Sequence, residues 1–74
     1  MTSRKLQFPI VGEKIELCKL IKATNLVASG GEAKLVVSEG MVSVNGEPER
    51  RKRKKVVAGD IVTFCDTVIS VVRD

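Results

Sequence analysis

Six consecutive cations, Arg50, Arg51, Lys52, Arg53, Lys54 and Lys55, occur within a chain of 74 residues. Six like charges held close together repel one another, and a polyanion that relieves the repulsion is their natural ligand. Residues 47–55 hold six of the 13 basic side chains and two of the 9 acidic ones, so this segment carries +4, the net charge of the whole chain. The remainder is neutral. That distribution is the footprint of a local polyanion site rather than of a generally basic protein. Basic hexamers also match nuclear-import peptides, which need only be exposed. Here the run stands between two turn signals, with more strand-forming sequence after it, so both of its ends are expected to be pinned to the fold. Alternation along an extended segment would put Arg50, Lys52 and Lys54 on one side and Arg51, Arg53 and Lys55 on the other.

A second stretch, "SGGEAK", has the composition of a phosphate-accepting helix start. Ser29 followed three residues later by Glu32 is a capping box. Gly30 and Gly31 are poor helix formers, each costing about 1 kcal/mol relative to Ala. Their absent side chains would let the free N–H groups of the first turn approach a phosphate oxygen, with Lys34 one turn further on. The stretch is not a Walker loop, because the GK[ST] ending is missing.

Other chemistries are poorly supplied. Histidine is absent, and Cys18 and Cys65 lie far apart without CxxC or CxxH context. A tetrahedral zinc site, a histidine general base and a Cys–His nucleophile are therefore not expected. Both cysteines are expected to be buried, reduced and unligated. The carboxylates are scattered, and a core this small leaves little room for a closed substrate pocket. The expectation is a non-enzymatic protein with no cofactor, metal or small-molecule substrate. Phe8 and Phe64 are the only aromatic residues. Readers of single-stranded RNA stack bases on several exposed rings, so an RNA-recognition-motif sheet or an OB-type platform is disfavoured. The backbone and shape of structured RNA are the better target.

These features must be positioned by a small set of elements. "EKIELCKLIKATNL" reads as a helix, with Leu17, Leu20, Ile21 and Leu26 on one face and Asn25 suited to its left-handed close. "SGGEAKLVVSEG" reads as a second helix, with Ala33, Val36 and Val37 as its buried stripe and Gly40 as its stop. A link of about three residues would make the pair a hairpin. "MVSV" followed by Asn45-Gly46 signals a strand and a two-residue turn, and Pro48 limits the next strand to an edge. Gly59 marks another turn. "IVTFCDTVISVV" reads as two short strands around Asp66-Thr67, and "LQFPI" adds a further short one. With 43% hydrophobic and 30% charged residues, the balance is globular, and the length suits one domain over residues 1–74. No apolar run has membrane-spanning length, and the first ten residues lack the apolar core of a secretory signal. A soluble, cytoplasmic protein is expected.

In this order, "IELCKLIKATNLVASGGEAKLVVSEGMVSVNGEPERRKRKKVVAGDIVTF" resembles the S-four RNA-binding domain, also called the alpha-L motif, over residues 15–64. Ser29-Gly30, Ala33-Lys34, Gly40 with Val42, Val44-Asn45-Gly46 and Gly59-Asp60 carry the likeness, which is nearest to the small free-standing bacterial members. The resemblance implies an α+β fold, a two-helix hairpin packed on a small, bent, mostly antiparallel sheet. It implies an RNA surface built from Ser29, Gly30, Gly31, Lys34, Asn45, Gly46 and the cations from Arg50 onward. Two positions depart from the pattern: Gly30 where many members have Arg, and Glu16 where many have a basic residue. The same domain is elsewhere attached to pseudouridine synthases and tyrosyl-tRNA synthetases; here a stand-alone monomer is expected. It would contact structured RNA, ribosomal or transfer RNA among the candidates, through backbone phosphates, with the ribosome or another ribonucleoprotein as its setting. The rival readings are an adaptor whose cations bind an acidic protein partner, and an architectural DNA-binding protein.

Overall fold

The computed structural model describes residues 4–74. The chain runs β1 (Arg4–Ile10), β2 (Ile15–Glu16), α1 (Leu17–Ala23), α2 (Gly30–Ser38), β3 (Val42–Val44), β4 (Glu47–Pro48), β5 (Lys55–Val56), β6 (Ile61–Phe64) and β7 (Thr67–Arg73). Five strands form one sheet in the order β1-β7-β6-β3-β4, and β2 pairs with β5 in a separate two-stranded ladder. All pairings are antiparallel except β1 with β7, which run parallel over their full length, from Arg4 opposite Thr67 to Ile10 opposite Arg73. The architecture is α+β, two helices against a mixed sheet, as expected. The short strand anticipated at residues 6–10 is thus a full parallel edge strand. The expected absence of a secretory leader concerns in part residues 1–3, which lie outside the described residues.

Period-two alternation decides which sheet face is internal. On β7, Thr67, Ile69 and Val71 are buried while Val68, Ser70 and Val72 are only half covered. Val62 and Phe64 of β6 and Val42 and Val44 of β3 join them in one core. Against this face pack Leu17, Leu20 and Ile21 of α1, and Ala33, Val36 and Val37 of α2. Burying a residue such as Leu20 or Ile69 contributes about 1.5–3 kcal/mol, so the small core depends on each of them.

The turn chemistry operates largely as the sequence indicates. Asn45 and Gly46 have φ of 52° and 86°, the doubly positive pair of a tight hairpin turn between β3 and β4. Asn25 closes α1 with φ 61°, and Gly40 closes α2 with φ 77°. In the capping box the Ser29 hydroxyl accepts from the Glu32 N–H at 3.2 Å. The Glu32 carboxylate reaches one residue further back than expected and accepts from the Ala28 N–H at 2.6 Å.

Four expectations need correction. The first helix does not span residues 13–26: Ile15 and Glu16 are strand, and α1 begins at Leu17. The apolar period is real, but it cannot say where a helix starts when a tertiary strand competes for the preceding backbone. The helix connection spans the six residues 24–29 rather than about three, and Leu26 and Val27 in it pack half-buried on the core. The last turn is centred on Cys65-Asp66, with Cys65 at φ 55°. Cys65 is consequently exposed, while Cys18 is buried as expected.

Candidate nucleic-acid interface

The basic run is held to the start of α1 by its main chain. Helix α1 has no side-chain cap. The Leu17 N–H donates instead to the Lys54 carbonyl at 2.9 Å, and the Cys18 N–H to the Lys52 carbonyl at 3.1 Å. These are donors that a helix start otherwise leaves unpaired. Next to them, Ile15 pairs with Val56 and Glu16 with Lys55, and Val56 is fully buried. The ends of the run are therefore fastened, as expected, but its interior is not extended. A turn at Lys52-Arg53, with the Lys54 N–H donating to the Arg51 carbonyl at 3.2 Å, breaks the anticipated two-sided alternation. The physical reason is that the carbonyls of Lys52 and Lys54 serve the adjacent N–H groups of Cys18 and Leu17, which stand closer together than alternate carbonyls of an extended strand.

The result is an open groove of about 800 Å³ lined by Glu16, Cys18, Lys19, Lys22, Gly30, Lys34, Arg50, Arg51, Lys52 and Arg53. Seven of these residues are cationic and one is acidic. The two ends of α2 bear on it. A Cβ on Gly30 would lie 3.5 Å from the Lys22 Cδ, so the Lys22 stem passes over the helix start. A Cβ on Gly40 would lie 2.8 Å from the Arg50 Nε, so Arg50 rests on the backbone just beyond the helix end. Gly40 is required for its positive φ.

Two carboxylates tie down part of this charge. Glu49 receives a two-pronged contact from Arg51, Nε to Oε2 at 2.9 Å and Nη2 to Oε1 at 3.0 Å, and also the Arg51 backbone N–H at 3.1 Å. These hydrogen bonds hold the Glu49 carboxyl down at about 2, against an ordinary 4.5. Glu16 bonds Lys55 at 3.2 Å and lies 3.7 Å from Lys19. The hydrogen bond from Lys55, with the charges of Lys55, Lys19 and Arg53, lowers its carboxyl below the ordinary value. Among the described residues, Lys22, Lys34, Arg50, Lys52 and Arg53 line the groove without an ion-pair partner.

Of the residues singled out from sequence, Gly30, Lys34, Arg50, Arg51, Lys52 and Arg53 converge on this groove. Lys55 is turned to Glu16. Lys54 and Asn45 line a smaller recess of about 360 Å³ with Val44, Glu47, Pro48, Glu49 and Arg51. Gly46 is at the tip of the β3–β4 turn, Ser29 is engaged in capping, and Gly31 lies beside Ser29. The Asn45 side chain ties two turns together, donating to Asp60 Oδ1 at 3.1 Å and accepting from the Ile61 N–H at 2.9 Å. Lys19, Lys22 and Cys18 were not foreseen in the site. Lys19 and Lys22 are spaced i, i+3 on the polar side of the helix that buries Leu17, Leu20 and Ile21, a signal legible only once the hairpin partner is known.

Comparison with known proteins bears on the family and the fold. The family model described as "S4 domain" matches residues 8–72. A putative RNA-binding protein, YbcJ of Escherichia coli, is 45% identical over 58 residues, covering 78% of this chain and 83% of that protein. A probable ribosome maturation protein, RlbA of Bacillus subtilis, is 42% identical over 50 residues, covering 68% and 70%. The solution structure of Escherichia coli YbcJ, described as revealing an alpha-L motif involved in RNA binding, superimposes with a TM-score of 0.66 at 36% identity, over 97% of this chain and 90% of that one. With the same two helices on a mixed sheet and a family match across nearly its whole length, the chain belongs to the S4 domain family.

Proposed function

We propose that this protein is a non-enzymatic RNA-binding protein whose cationic groove receives the backbone phosphates of structured RNA. The observation that carries the reading is the lining of the groove, seven cations against a single carboxylate, assembled from three separate segments. A phosphate track needs a charged channel of this kind, whereas base stacking needs exposed rings. Phe64 is buried and Phe8 is half-buried against the core, so neither supplies an open platform. Lys22, Lys34, Arg50, Lys52 and Arg53 are the leading phosphate ligands, with Gly30 allowing close approach at the helix start. Ser29, Gly31, Asn45, Gly46, Arg51, Lys54 and Lys55 form the border of the same surface. The similarity to a ribosome maturation protein and to an RNA-binding protein favours ribosomal RNA or a ribonucleoprotein intermediate over transfer RNA. The protein acts as a monomer in the cytoplasm, as one domain.

The test is competition at one fixed salt concentration. Labelled folded RNA bound to the protein is challenged with unlabelled folded RNA, duplex DNA and an acidic protein. Folded RNA is expected to compete best. Preferential displacement by duplex DNA would replace this reading with an architectural DNA-binding role, and displacement by the acidic protein with an adaptor role.

A further inference from the structure

Glu16 is the one carboxylate among the residues lining the cationic groove. Its side chain is only 22% exposed and stands between two ammonium groups, Lys55 at 3.2 Å and Lys19 at 3.7 Å. Its place is set by the backbone. Glu16 is the N-cap of α1, with extended dihedrals, and is opposite Lys55 in the β2–β5 ladder. Neither helix capping nor core packing explains an acid here: its side chain makes no capping hydrogen bond, and a neutral residue would satisfy the same backbone. A carboxylate is chemically a phosphate oxygen pair held in place, acceptor-only and singly negative. In a groove that attracts phosphate, it competes with the ligand for the same donors and repels it at short range.

On the reading that the groove receives RNA phosphates, we propose that Glu16 is an internal anion that occupies Lys19 and Lys55 and keeps the α1 end of the groove closed to phosphate. The residue then sets where the RNA backbone lies. Phosphates are confined to the side lined by Lys22, Lys34, Arg50, Lys52 and Arg53, and two of the cations at the α1 end are withheld from binding. The lowered protonation tendency of the carboxyl keeps this internal anion charged through the neutral range. The arrangement exchanges affinity for register, as like-charge juxtaposition does at other charged interfaces.

The experiment compares wild type, Glu16→Gln and Asp66→Asn in titrations of a folded RNA across a salt series. Asp66→Asn makes the same charge change at the β6–β7 turn, outside the groove. Glu16→Gln is expected to bind about threefold to tenfold more tightly, with the slope of log affinity against log salt steeper by about one to two units as Lys19 and Lys55 acquire phosphates. Asp66→Asn is expected to gain less than about twofold, with no change of slope. Equal gains in the two variants would reduce the effect to net charge and overturn the proposal, as would unchanged or weaker binding by a folded Glu16→Gln. Absence of salt-dependent RNA binding by wild type would instead overturn the RNA-binding reading itself. Thermal unfolding of Glu16→Gln checks the fold, and only a small change is expected because exposed ion pairs add little stability.

Discussion

The Leu17 N–H and the Lys54 carbonyl are 2.9 Å apart, and this hydrogen bond joins the first turn of α1 to the basic run. The bond uses main-chain atoms only, as does its neighbour between Cys18 and Lys52. The side chains of Lys52 and Lys54 are thereby released from any structural duty at the helix start, while their backbone is fixed there.

This separation makes the cations removable. Lys52→Ala and Arg53→Ala should each leave far-UV circular dichroism unchanged and shift stability by no more than about 0.5 kcal/mol. Each should also flatten the slope of log RNA affinity against log salt by about 0.7–0.9. Arg51→Ala should flatten it less, because the Arg51 guanidinium is already committed to Glu49. Salt-series titrations of the three variants check the order. An unchanged slope in a folded Arg51→Ala/Arg53→Ala double variant would move the binding site off this run.

The Arg51–Glu49 pair should report on acid. The Glu49 carboxyl is depressed in the folded state, to about 2 from about 4.5. A depressed carboxyl contributes stability that is present above the unfolded value and is lost as pH falls through the folded value. Glu49→Gln should therefore be less stable than wild type at pH 7, with the difference fading between about pH 4.5 and pH 2. Because Arg51 is 73% exposed, screening should hold the difference at pH 7 to about 1 kcal/mol or less. Carboxyl chemical shifts followed by NMR during an acid titration give the Glu49 midpoint directly.

The two glycines at the start of α2 should separate. Gly31 has no positive φ, and a Cβ there would make only an ordinary contact with the Ser29 Oγ at 3.9 Å, so Gly31→Ala should stabilise the fold by up to about 1 kcal/mol. Gly30 lines the groove under the Lys22 stem. Gly30→Ala should keep the fold but weaken RNA binding about twofold to tenfold, by crowding the helix start where a phosphate would approach. Thermal melts and RNA titrations on both variants check the division. Equal RNA affinity for Gly30→Ala and wild type would confine this stretch to capping.

Gly40 should prove sensitive for its backbone. Gly40→Ala forces a side chain into φ 77°, costing about 1–3 kcal/mol, while the exposed Arg50 guanidinium can swing aside. An Arg50→Ala background should leave that cost nearly unchanged. A double-mutant cycle on unfolding free energy should be close to additive; a large coupling would mean that Arg50 is held rigidly against Gly40.

The cysteines should differ in reactivity. Cys65 is exposed in its turn and Cys18 is buried. A thiol reagent should modify Cys65 in the native protein and Cys18 only on unfolding, as read by mass spectrometry. Equal native reactivity of the two would place Cys65 or Cys18 wrongly in the fold.

Local chemistry in the sequence was enough to determine much of this protein. Asn45-Gly46 dictates a hairpin because both residues tolerate positive φ, Ser29 and Glu32 dictate a helix start, and the buried face of α2 follows from period 3.6. The six adjacent cations concentrate the net charge in one segment without any structure. Tertiary structure decided what depends on partners distant in sequence. The helix of residues 13–26 loses its first turn because Ile15 and Glu16 find Lys55 and Val56, forty residues away, as strand partners. The basic run gives up its alternation because its carbonyls cap α1. Lys19 and Lys22 join the groove because the helix hairpin brings α1 beside Gly30. In each case the deciding hydrogen bond or contact lies between segments that no local window contains, and backbone donors at a helix start accept whichever partner the fold delivers.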